Sequence, residues 1–144
     1  MASKHYFTGV TGLYLVAAAL SKRKFIVSPT SRSANTADLL ITDEFCQNAY
    51  AIQVKSNSTT FNFWLVGVNT SRIKSETFVY VFVNLRKTGP EYHIVPSTVV
   101  ATKVREDKPT DTRKTTWYSI YLKEIAEFKD RWDVFLQPKI ELPD

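Results

Sequence analysis

The chain has 144 residues, 44% hydrophobic and 13% aromatic, with a formal net charge of +5. That length suits one domain with a sizeable core, and the composition excludes a disordered or low-complexity chain. No apolar run reaches the ~18 residues that a membrane-spanning helix needs. The lone cysteine, Cys46, can form no internal disulfide, so nothing points to an oxidising compartment and a cytoplasmic protein is expected.

From Thr8 to Lys22 apolar residues recur at Val10, Leu13, Tyr14, Ala17 and Leu20, with Val16 and Ala18 filling in. This spacing predicts an amphipathic helix, N-capped by Thr8 or Thr11, whose C-terminal end carries Lys22, Arg23 and Lys24. "KFIVSP" reads as a short buried strand stopped by Pro29, and "SPTSRSANT" as a polar loop with one arginine. A hairpin follows, with arms of about Asp38–Thr42 and Ala49–Ser56, and then an extended stretch, "TTFNFWLVG".

"ETFVYVFVNL" sets Val79, Val81 and Val83 on one face and Phe78, Tyr80 and Phe82 on the other. Apolar residues on both faces predict a central strand covered above and below. "RKTGP" is a turn into an antiparallel partner, "EYHIVP", and Ser97 is placed to cap a helix through "STVVATKVRED". After the charged loop "DKPTDTRKTT", the aromatic tail from Trp117 reads as a strand followed by one or two short helices. The order predicts one α/β domain over residues 1–144 with a mixed sheet, residues 1–7 and 137–144 being peripheral.

Residues two apart on a strand share a face, so Gln53 and Lys55 point together while Ile52 and Val54 point into the core. Hairpin pairing brings Asp38 close to Lys55. A carboxylate, an amide oxygen and an ammonium then gather at one end of the sheet. One reading is a cross-strand ion pair worth about 0.2–1 kcal/mol. The other is a site.

The pattern helix, strand, Asp38, fourteen residues, then Gln53-Val54-Lys55 resembles the PD-(D/E)XK nuclease superfamily. It stands here as "ADLLITD" followed by "IQVK", after "GLYLVAAALSKRKFIVSPTS", and the likeness covers residues 8 to about 57. The resemblance implies a restriction-endonuclease-like, three-layer α/β/α fold around a mixed sheet of about five strands. It implies hydrolysis of DNA, with RNA as the other candidate polymer, and two copies pairing to cut both strands. Asp38, Gln53 and the Val54 carbonyl would hold Mg²⁺ or Mn²⁺, and Lys55 would orient the attacking water or meet the phosphate. Ser31 and Arg32, with Lys22, Arg23 and Lys24, would hold the nucleic-acid backbone. Two departures stand out: Gln53 replaces the usual acid, and the first helix has no acid from Thr8 to Leu20. They leave a second reading, a catalytically inactive nuclease-like fold that binds nucleic acid or a protein partner as an accessory or immunity-type factor.

Overall fold

The computed structural model describes residues 1–31, 34–58 and 61–139. Helix α1 spans Lys4–Lys22 and starts earlier than its apolar periodicity, because Ser3 caps it by accepting from the Tyr6 N–H at 3.2 Å. Its first turns carry the exposed Tyr6 and Phe7, so no buried stripe marks them. Gly12, Val16 and Leu20 form the buried stripe, whereas Tyr14, expected in it, is 62% exposed. At Gly12 the helix presses on the sheet so closely that a Cβ would lie 1.8 Å from Ser56 Oγ.

Strands β1 (Phe25–Pro29), β2 (Leu39–Asp43), β3 (Ala49–Ser58), β4 (Phe63–Val66), β5 (Phe78–Arg86) and β6 (Gly89–Pro96) follow. Five of them form a mixed sheet in the order β1-β2-β3-β5-β6. β3 and β5 are parallel, and the other neighbours are antiparallel. β1 is an edge strand in which only Phe25 is buried, which corrects the expectation of a buried one.

β5 is covered on both faces, as its sequence requires. Val79, Val81 and Val83 join Leu39, Ile41 and Ile52 beneath α1. Phe78, Tyr80 and Phe82 join Trp64, Val95, Ile120 and Ile125 on the other side. The covering layer there differs from the expected helical one. It contains a three-stranded antiparallel sheet, β4-β8-β7, in which β7 is Arg105–Asp107 and β8 is Trp117–Tyr121. Short β-branched and aromatic runs that bury alternate residues, such as Trp64 and Val66, satisfy a period of two better than a helix.

Two short helices complete this side, α2 (Ser97–Lys103) and α3 (Leu122–Ile125). α2 stops before the charged "RED", which pairs with β8 instead. Ser97 makes no cap. Its hydroxyl donates to the Ser75 carbonyl at 2.7 Å and accepts from the Ser75 N–H at 2.9 Å, fixing the approach to β5. The tail closes the opposite face, with Phe135 packed edge-on against Phe25 and Tyr50. Among the described residues no helix is long and apolar enough to cross a membrane.

Candidate functional site

β2 begins at Leu39, and the residue before it organises this end of the sheet. The Asp38 N–H donates to the Ile52 carbonyl at 2.7 Å, and the Asp38 carbonyl accepts from the Thr30 N–H at 3.0 Å. One rung further along β3, the Val54 N–H donates to Asp38 Oδ2 at 2.8 Å. The aspartate side chain therefore takes the place of a strand carbonyl where β2 is leaving the ladder. A residue's N–H and C=O point to the same side of a strand. The Val54 carbonyl thus also faces the Asp38 side, just past the start of β2.

Asp38 and Val54 line a cleft of about 200 Å³ whose other wall is Gly9, Val10 and Leu13 of α1. Burial pushes the Asp38 carboxyl above its ordinary range, and the Val54 N–H and the Lys55 charge offset part of that rise. The helix contributes no acid to this wall.

Gln53 and Lys55 share the opposite face of β3, beside Tyr80 and Phe82 of β5. Gln53 lines a smaller cleft of about 160 Å³ with Asn35, Thr36, Gly67, Asn69 and Thr70. Lys55 lines a third cavity with His5 and the aromatic start of β4. Burial pulls the Lys55 ammonium below its ordinary range, while the Asp38 charge acts in the other direction. The two charges feel each other without an ion pair at 4.0 Å or closer among the described residues. The register explains the distance: Leu39 opposes Ile52, so Lys55 lies beyond the start of β2. The structure thus brings Asp38, the Val54 backbone and Lys55 together midway along β3, where β2 begins, and turns the Gln53 amide into a neighbouring cleft.

The basic residues divide. Lys22, Arg23 and Lys24 sit at the Phe25 end of β1, which pairs with Asp43, whereas Asp38 lies beyond the Pro29–Leu39 end. Four strand steps, about 13 Å, separate the two ends. Arg23 is also committed to structure: it donates to the Ala19 carbonyl at 3.0 Å and lies 4.3 Å over the Trp132 ring. Sequence adjacency does not tell which end of a sheet a cluster will occupy. Ser31 is exposed on the Asp38 side, following Thr30, while Arg32 lies outside the described residues.

Among the described residues no three His, Cys, Asp or Glu side chains cluster closely enough to hold a metal ion. The oxygen donors at this end are Asp38 Oδ1, the Val54 carbonyl and, from the adjoining cleft, the Gln53 amide. Magnesium keeps several waters and binds through one or two carboxylates together with substrate phosphates. This donor set fits Mg²⁺ or Mn²⁺ shared with a bound phosphate, and it does not fit an ion caged by protein alone. The sequence had not marked His5, Phe61 and Phe63, which line the Lys55 cavity. The one sequence signal for the two phenylalanines is the aromatic "FNF" so soon after Lys55. No protein-family model matches the chain, and no curated protein matches it significantly.

Proposed function

We propose that the protein is a restriction-endonuclease-like domain that binds DNA and hydrolyses its phosphodiester bonds at Asp38, Val54 and Lys55, where β2 begins beside the middle of β3. The observation that carries this reading is the Asp38 carboxylate hydrogen-bonded to the Val54 N–H, with the Lys55 ammonium half-buried nearby and making no ion pair among the described residues. Half-buried charges are costly to a fold, and two of them gathered where β2 begins support a functional reading. Asp38 Oδ1 and the Val54 carbonyl would hold Mg²⁺ against the phosphate. The ion, when bound, would polarise the phosphate and lower the pKa of a coordinated water. Lys55 would neutralise charge gathering on the phosphate oxygens, and Gln53 would position the flanking nucleotide or the water.

A second reading has one observation in its favour: the α1 wall of the cleft is Gly9, Val10 and Leu13. With no second carboxylate there, the same surface would bind nucleic acid or a protein partner without cutting. Incubation with plasmid, linear and branched DNA in Mg²⁺ or Mn²⁺, beside Asp38→Ala and Lys55→Ala, separates the two. Cleavage abolished by both substitutions supports hydrolysis at this site, and cleavage that survives both refutes the assignment. Binding without cleavage by the parent protein selects the second reading, and its affinity should fall steeply with salt.

A further inference from the structure

We propose that the cavity beside Lys55 receives one unstacked nucleotide of a single-stranded segment, its base against Phe61 and its phosphate at the Lys55 ammonium. The inference rests on the reading that Lys55 meets a phosphate, and it adds the class of substrate. The cavity measures about 290 Å³ and is lined by Lys55, Asn57, Phe61, Phe63, Trp64 and His5. That is close to the lower end of the size range for small-molecule sites, about 300 Å³.

Part of its wall is packed into the fold. Phe63 stacks on Tyr121 with ring centroids 5.7 Å apart, and Trp64 is buried with its indole N–H donating to the Val83 carbonyl at 3.1 Å. The Asn57 amide donates to the Phe63 carbonyl, which ties the end of β3 to the start of β4. Phe61 meets Phe63 edge-on, yet 53% of its surface stays exposed. The chamber therefore offers an aromatic ring with open surface in the same lining as an ammonium that makes no ion pair among the described residues. A flat base joined to a phosphate satisfies both at once, because bases stack on aromatic side chains and the anion compensates the desolvated lysine. A base inside a duplex cannot enter such a chamber without leaving its stack. The Lys55 ammonium also feels the Asp38 charge, so the phosphate held at Lys55 would be the one presented to Asp38, with the stacked base on the nucleotide beside it. The substrate class is then single strands, flaps and frayed ends.

The test uses the intact protein in EDTA, so that binding is read without cleavage. Fluorescence anisotropy compares a labelled oligothymidine with a duplex of equal length, for the parent, Phe61→Ala, Phe61→Trp and Lys55→Met proteins, with circular dichroism as the check on folding. The single strand should bind at least tenfold more tightly than the duplex. Phe61→Ala and Lys55→Met should each remove about tenfold or more, and Phe61→Trp should restore binding. Equal affinity for duplex, or a folded Phe61→Ala protein that binds as the parent does, overturns the proposal. Thymidine monophosphate binding as tightly as the oligomer also overturns it, by making a free nucleotide the ligand. A preference for single strands without any cleavage in Mg²⁺ or Mn²⁺ sustains this pocket while removing the hydrolytic reading.

Discussion

The same substitution at two positions of α1, three residues apart, should change stability in opposite directions. At Gly12 a Cβ would meet Ser56 Oγ at 1.8 Å and Ser56 Cβ at 2.9 Å. Carbon atoms pack at about 3.5–4.0 Å, so the Ser56 hydroxyl must rotate away and the helix must still retreat by about half an ångström or more. Overpacking of this kind costs about 1–3 kcal/mol. Replacing glycine within a helix returns about 0.8–1.0 kcal/mol of propensity. Gly12→Ala should therefore be destabilising by about 1 kcal/mol net. At Gly9 nothing lies within 4 Å of the added Cβ, so Gly9→Ala should stabilise by about 1 kcal/mol. Urea unfolding followed by circular dichroism reads both, and the melting temperatures should part by roughly 4 °C or more. Ser56→Ala should recover part of the Gly12→Ala loss, since it removes the nearer clash and a buried hydroxyl with no partner among the described residues. Shifts of the same sign at both glycines would refute the close approach of α1 to β3.

Asp38→Asn keeps an acceptor for the Val54 N–H and removes a desolvated charge, so it should raise stability at neutral pH while lowering any cleavage by roughly 100-fold or more. The Asp38 pKa is raised by burial, so its stabilising contribution is fully present below the unfolded value of 3.8 and is lost as pH rises through the folded value. Urea midpoints across pH 3–7 should show that loss in the parent and not in the variant. Asp43 behaves in the opposite sense. Burial pushes its carboxyl up, but N–H donors of Asn48, Phe45 and Gln47 and the Asn48 side chain outweigh this and hold it below its ordinary range. Its stability is therefore present above 3.8 and lost as pH falls through the folded value, and Asp43→Ala should speed amide exchange at Phe45, Gln47 and Asn48. Tyr50→Phe leaves the Leu136 N–H, now 3.0 Å from the phenol oxygen, without its acceptor, and should cost about 1 kcal/mol with faster exchange at that amide.

Period-two patterning made much of the central sheet legible. It placed both faces of β5 correctly, and it set Gln53 and Lys55 on one side of β3 with Ile52 and Val54 on the other. Other features do not follow from periodicity. Asp38 stands where the chain bends out of the ladder, and its carboxylate turns to the Val54 N–H, a choice made by an unpaired donor and not by a pattern. The Lys22–Lys24 cluster is close to the site along the chain yet occupies the other end of β1. "RED" continues the run after α2, but it becomes a strand because β8 offers it a partner. The layer opposite α1 became a sheet through tertiary pairing of two short runs that are far apart in the sequence.

A two-sheet architecture leaves four outer strands whose unpaired backbone groups can recruit another chain. Three of them are blunted here. β1 ends in Pro29, β6 is bridged at His93 by Lys129, and β7 consists of Arg105, Glu106 and Asp107 alone. The fourth, β4, reads Phe-Trp-Leu-Val without a charge, and Leu65 is half exposed. Its first carbonyl, at Phe63, is occupied by the Asn57 amide. That side-chain bond, made by the residue that follows Lys55 by two, takes up one of the backbone acceptors that the uncharged β4 edge would otherwise offer to another strand.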